Sequence, residues 1–203
     1  AFTYLNSYFG AGNFGFDNGT RQFGLTGTGA ANSLNKLNDR IIDPIIGDLI
    51  NDPKPVIANS YGIEASYQLS PKFTINGWVG LTKARIIDYG DSDIWNYAVT
   101  LAFPDLGKKG NLGGIVVGAE PYLTNLRATD DFLGQFFPGD SIGRAPDPRS
   151  FKANVPLHVE AFYKYQVSDN ISITPGLIWL TAPNQDNDNS DIFIGTLRTT
   201  FTF

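Results

Sequence analysis

From residue 56 to the end, apolar and polar residues alternate with a period of two, interrupted only by turn residues. Residues 56–69 set Ile57, Tyr61, Ile63, Ala65, Tyr67 and Leu69 against Ala58, Ser60, Gly62, Glu64, Ser66 and Gln68. Residues 73–87 carry Phe73, Ile75, Val79 and Leu81 on the odd set, with Thr74, Asn76 and Thr82 on the even. In 93–106, Trp95, Tyr97, Val99, Leu101 and Phe103 oppose Asn96, Ala98 and Thr100. In 112–126, Ile115, Val117, Ala119 and Leu123 oppose Val116, Gly118, Glu120 and Tyr122. The cleanest alternation is 155–167, with Val155, Leu157, Val159, Ala161, Tyr163, Tyr165 and Val167 on one face and His158, Glu160, Phe162, Lys164 and Gln166 on the other. Residues 171–181 and 190–203 complete the series, and the last of these ends flush on Phe201 and Phe203. Each segment predicts a strand with one apolar and one polar face. Residues 2–9 (FTYLNSYF) predict an eighth.

The stretch between residues 10 and 55 is different. Glycines 10, 12, 15 and 19 break the chain, and Leu34, Leu37, Ile41, Ile45 and Leu49 then recur at three- and four-residue spacing. That spacing predicts a short helical insertion over 33–50, within a long loop. Pro44 divides it, so two short helices are expected, capped by Ser33 and Asp43. The segment either covers the sheet or narrows a pore.

Strands of about 11 to 15 residues exceed the globular mode of about 5–6 and suit a tilted membrane crossing. The connections alternate in length: 10–55 long, 70–72 short, 88–92 medium, 107–111 short, 127–154 long, 168–170 short and 183–189 medium. Outer-membrane barrels show this asymmetry, with tight periplasmic turns and longer outer loops. With the C-terminus periplasmic, Tyr67, Phe73, Phe103, Tyr165, Phe201 and Phe203 fall at one height, and Trp95, Tyr97, Trp179 and Phe193 near the other. Two such girdles are what a bilayer interface selects. Lys83 and Arg85 break the apolar face at an outer strand end, within reach of lipid phosphates. The expected fold is all-β: an antiparallel transmembrane barrel with about eight strands in this chain.

Composition narrows the class. Of 203 residues, 17% are charged, against roughly 25% in soluble domains. Net charge is −5, which argues against a nucleic-acid surface. Cysteine is absent, which removes disulfides and thiolate metal sites, and without methionine Ala1 is not an initiator, so a processed or partial chain is expected. No apolar run approaches the roughly 18 residues of a membrane helix.

Candidate chemistry is sparse. In this register Glu64, Glu120, His158, Glu160, Lys164 and Arg198 project inward near mid-height, as a mixed-charge pore lining. His158, Glu160 and Lys164 share one polar face, but a metal or acid–base site there lacks a third ligand of the usual type. Asp186, Asp188, Ser190 and Asp191 offer oxygen ligands without the glycine and distal glutamate of a calcium loop. Asp130, Asp131 and Asp140 with Arg127, Arg144 and Arg149 either line a mouth or neutralise one another. No catalytic residue, metal or cofactor is expected. The alternative to a conducting pore is a small, side-chain-filled membrane barrel that anchors the envelope.

Four blocks also resemble a known family: GWVGLTKA (77–84), TLAFPDLGKKGNLGGIVVG (100–118), HVEAFYKYQVSDNISITPGLIWLTAPN (158–184) and DIFIGTLRTTFTF (191–203). From about residue 56 onward the chain is similar to the C-terminal part of cyanobacterial outer-membrane porins, an iron-uptake branch related to the carbohydrate-selective, OprB-like porins. The resemblance implies half of a 16-stranded barrel passing inorganic ions, iron among them, and small hydrophilic solutes such as sugars. It further implies a homotrimer set among outer-membrane lipid and lipopolysaccharide. Family members carry about eight further strands, a helical segment and an S-layer homology domain ahead of this region, so the chain is expected to be part of a longer protein.

Overall fold

A computed structural model describes residues 1–11, 13–16, 25–32, 34, 41–42, 49–50, 54–128 and 154–203. The elements are β1 (Phe2–Phe9), α1 (Gly29–Asn32), β2 (Ile41–Ile42), β3 (Leu49–Ile50), β4 (Val56–Ser70), β5 (Phe73–Ile86), β6 (Gly90–Pro104), β7 (Leu112–Ala128), β8 (Leu157–Ser168), β9 (Ile171–Leu180) and β10 (Ile192–Phe201). Eight strands form one antiparallel sheet in the order β1-β4-β5-β6-β7-β8-β9-β10. The sheet is that of an open barrel section, with β1 and β10 at its two edges. No described helix is long and apolar enough to cross a membrane, which leaves crossing by strands untouched.

The alternation sorts side chains as expected across most of the sheet. Register runs unbroken between β5 and β6 from Thr74↔Ala102 to Ile86↔Gly90, so every even residue of β5 shares one face. That face carries α1 and its flanks, and is the inner one. The outer face leaves Ile63, Tyr67, Val99, Val117, Leu177 and Leu197 exposed. An apolar surface this continuous is unfavourable in water and costs nothing against lipid tails.

At one end the strands meet in short turns. The turn after β6 places Gly107 and Gly110 at positive φ, where a side chain would be strained. Its Asp105 carboxylate accepts the Gly110 N–H at 2.7 Å, and the Asn111 side-chain amide donates to the Tyr163 hydroxyl of β8 at 2.7 Å. The chain end is tied similarly, with the Thr202 N–H donating to the Asn170 carbonyl and the Asn170 amide to the Thr202 carbonyl.

At the other end the inner face is filled. Phe14, Ala30, Ala31 and Leu34 pack on Val56, Ala58, Ala84, Ile86, Ile94 and Leu123, with Phe9, Phe16 and Leu126 beside them. Leu34, Val56 and Ile94 are fully buried.

Two expectations need correction. Of 33–50, where two short helices are expected, residues 34, 41–42 and 49–50 are described, and there Ile41 and Ile42 pair antiparallel with Ile50 and Leu49 as strands instead. β-branched Ile41, Ile42 and Ile50 favour extended backbone, whereas the three- and four-residue spacing of Leu34, Leu37, Ile41, Ile45 and Leu49 imitates a helix. The expected caps Ser33 and Asp43 lie outside the described residues. The second correction is in β7. Trp95 pairs with Tyr122 but Tyr97 with Ala119, and Ile94 pairs with Leu123 but Asp93 with Asn125. Each shift inserts one extra β7 residue, so the first reverses the alternation and the second restores it. Leu123 therefore joins the inner core and Tyr122 leaves the inner set.

Candidate pore-lining site

Pro121 explains where β7 bulges. It has no N–H to give the ladder, and prolines inside sheets sit at edges or bulges. Its carbonyl instead accepts the Thr28 N–H at 2.9 Å. Gly27, beside Thr28, has φ +95°, and a side chain there would collide with the Pro121 carbonyl. The loop thus meets the wall backbone to backbone.

A second contact holds it there. β8 pairs with β7 only as far as Ala119↔Leu157, so the β7 backbone beyond lacks a strand neighbour on that side. Gln185, in the 3₁₀ turn Pro183–Gln185, occupies the gap. Its side-chain oxygen accepts the Leu123 N–H at 3.0 Å, and its amide nitrogen donates to the Leu123 carbonyl at 2.8 Å. Thr28 Oγ1 donates to the same oxygen at 2.6 Å. Gln185 is 1% exposed, so these bonds lie out of water. The Gly29 N–H donates to Asn184 Oδ1 at 2.6 Å, and the Phe16 N–H to Asn32 Oδ1 at 2.7 Å. Sequence reading placed the polar residues 183–189 in a connection and missed Gln185.

Of the six expected lining residues, the structure brings three together. His158 Nδ1 lies 3.7 Å from Glu120 and its Nε2 3.4 Å from Glu160. Glu120 sits at the bulge itself, where it and Pro121 together stand opposite Asn96. The register Gly118↔His158 and Val116↔Glu160 leaves room above the sheet, since neither β7 residue is large. Glu120 and His158 also border a cleft of about 180 Å³ with Thr28, Leu180, Thr181 and Asn184. Among the described residues, no group of three or more His, Cys, Asp or Glu is arranged to hold a metal ion.

The other three stand apart. Lys164 is four residues further along β8 from Glu160, about 13 Å at strand rise, and pairs with Leu112. Arg198 pairs with Thr174 at the sheet edge. Glu64 lies on β4, opposite Trp78 of β5. The expected single belt is therefore an acid–histidine cluster near the filled end, with cations nearer the short turns.

The interface aromatics all lie on outward strand positions or at the chain end. Phe73 and Phe103 stack with ring centroids 5.2 Å apart, and Trp179 and Phe193 at 6.0 Å. Tyr67, Tyr165, Phe201 and Phe203 are exposed near the short-turn ends, and Trp95 and Tyr97 lie two residues apart on β6. The Trp179 indole N–H donates to Asp191 at 2.9 Å, so this carboxylate of the acidic loop serves an aromatic. Asp186 accepts the Asp188 N–H, which shapes the same loop.

Lys83 and Arg85 are not bare cations. Lys83 pairs with Asp93 at 3.2 Å and Arg85 with Asp91 at 2.8 Å, each across the β5–β6 ladder. Asp91 and Asp93 were expected outside or at the very start of the third long strand; they belong to β6. Arg127 follows as the register partner of Asp91. Asp130, Asp131, Asp140, Arg144 and Arg149 lie outside the described residues.

An uncharacterized protein of Nostoc sp. is 37% identical over 207 residues, covering 100% of this chain and 29% of its own length. An uncharacterized protein of Synechocystis sp. is 29% identical over 221 residues, covering 100% of this chain and 33% of its own length. The chain thus spans about a third of the length of the curated relatives it matches. No solved structure matches it significantly. A family model of carbohydrate-selective porins, the OprB family, matches residues 16–203. With its exposed apolar outer face and polar, loop-lined inner face, this chain belongs to the OprB family of carbohydrate-selective porins.

Proposed function

We propose that this chain forms part of the wall of an outer-membrane porin that lets sugars, other small hydrophilic solutes and inorganic ions, iron among them, diffuse passively. The observation that carries the reading is the division of the sheet. One face is exposed and apolar, and the other bears charges, amides and an infolded loop. Membership of the OprB family supports an outer-membrane location and passage by diffusion. In this reading strands supplied by the rest of the protein pair with β1 and β10 and close a barrel of about 16 strands, the short turns and C-terminus face the periplasm, and three pores associate.

Transport then needs only a hydrated path of the right width and charge. Loop residues 25–32, held on the inner wall by Thr28 through Pro121 and Gln185, reduce that width near the outer mouth. Glu120, Glu160 and Glu64 face two fixed cations, Lys164 and Arg198, so this wall favours cations mildly. Screening limits the preference, since the Debye length is about 10 Å at 0.1 M salt.

Liposome swelling with the purified full-length porin tests the reading. Vesicles bearing it should swell in isosmotic glucose and more slowly in larger oligosaccharides. Swelling no faster than in protein-free vesicles would overturn the pore in favour of a closed structural barrel.

A further inference from the structure

Three tryptophans occur in the chain, and two of them, Trp95 and Trp179, sit on the outer face, where a bilayer interface accounts for them. Trp78 does not. The unbroken β4–β5 and β5–β6 registers place it on the same inner face as Thr82, Ala84 and Ile86, yet it is 47% exposed. It lies toward the short-turn side of the filled end, on the open part of the wall.

Its surroundings follow from the ladder. Glu64 stands directly opposite on β4 and Ala98 on β6. One inward step toward the filled end come Gly62, Gly80 and Asn96, with Asn96 lying over the space that a Gly80 side chain would occupy. One inward step toward the short turns come Ser66, Asn76 and Thr100, and Ser66 Oγ donates to Asn76 Oδ1 at 2.5 Å. Cross-strand neighbours have Cβ atoms about 4.5–5.5 Å apart and diagonal ones about 7–8 Å. A single large aromatic therefore stands beside small residues, within reach of one carboxylate, two amides and two hydroxyls.

We infer that Trp78 and Glu64 form a sugar-binding subsite on the pore wall, which rests on the reading of this wall as a sugar-passing pore. A pyranose has one face of C–H groups and a rim of hydroxyls. The flat face suits the exposed indole, a large apolar surface that gains by leaving water. The rim suits Glu64, an acceptor for two hydroxyls, and Asn76 and Asn96, which donate and accept. Gly62 and Ala98, both small, leave room on either side of the indole, while Asn96 fills the space over Gly80. A pocket of one apolar platform and a few placed polar groups is how small ligands are commonly oriented. The contact is with a neutral molecule, so salt leaves it largely unscreened. It holds each sugar briefly at the wall on its way through.

Block of ion current by glucose and by maltose, in planar bilayers bearing the full-length porin, tests this. Trp78→Ala should raise the half-blocking concentration about three- to tenfold. Trp78→Phe should stay within about threefold of wild type. Trp78→Leu, which keeps apolar bulk without a flat ring and guards against a misassembled alanine variant, should behave like the alanine. Glu64→Gln should weaken block less than Trp78→Ala. Equal block in wild type and Trp78→Leu, or wild-type block that vanishes at 1 M salt, would overturn the subsite. Passage is separable: wild-type vesicles that swell in glucose while the variants block unchanged keep the pore and remove the subsite. Wild-type vesicles that do not swell remove the pore itself.

Discussion

The two ends of the inner wall are built from the same strands and the same alternation, yet they solve different problems. Near the long loops the inner positions are Val56, Ala58, Ala84, Ile86, Ile94 and Leu123, packed under Phe14 and Leu34. Near the short turns they are Ser66, Asn76, Thr100, Lys164 and Gln166, polar and at least partly exposed. Period two fixes only which face a side chain takes. What lies above that face decides whether the wall becomes a core or a channel surface. The inner face is thus half buried core and half exposed polar surface, on one continuous sheet.

The comparison is sharpest along a single strand. Ile94 and Thr100 are both inward on β6, the first buried and the second partly exposed. Ile94→Ala should lower stability by about 2–5 kcal/mol through the cavity it leaves. Thr100→Ala should cost less than about 0.5 kcal/mol, as an open surface change does. Heat-modifiable mobility of the full-length porin checks both, and equal shifts would mean the filled end is not a core.

Gln185→Ala tests the fastening rather than the packing. It strands the Leu123 N–H and carbonyl without a partner, at about 1–3 kcal/mol for each group kept from water. Single-channel recording should show noisier and larger conductance as the loop carrying Thr28 loosens. Quiet, unchanged openings would mean that Gln185 braces β7 alone.

The smallest effect belongs to the charges between the two ends. Neutralising Glu120 and Glu160 together should move the reversal potential toward anions by a few millivolts at 0.1 M salt, and the difference should fade as salt rises. A shift toward cations would reverse the assigned facing of β7 and β8.

Much of this architecture was readable from residues alone, for a physical reason. Strand faces, short turns and the outer aromatics depend on local periodicity and turn chemistry, which a sequence carries directly. Three features depended on pairing that the period along a single strand does not carry. Pro121 inside an apolar–polar run was the available signal for the β7 bulge, and without it Tyr122 and Leu123 exchange faces. The spacing of Leu34, Leu37, Ile41, Ile45 and Leu49 imitated a helix, whereas Ile41–Ile42 and Leu49–Ile50 pair as strands. Gln185 looked like one more polar loop residue, because its value lies in an unpaired stretch of β7 that no local pattern reveals. Trp78 escaped for the opposite reason. It occupies the even, polar set of its strand, where an aromatic runs against the pattern.

The fastening also has a place in time. Thr28 and Gln185 are 157 residues apart, and Gln185 and Leu123 are 62 apart. Neither contact can form while the chain between them is unpaired, because the gap that Gln185 fills exists only once β7 and β8 have met. Contacts of such long range are made late, after shorter closures have reduced the entropy of bringing the segments together. In that order the sheet is assembled first, and the loop docks on its inner face only afterwards.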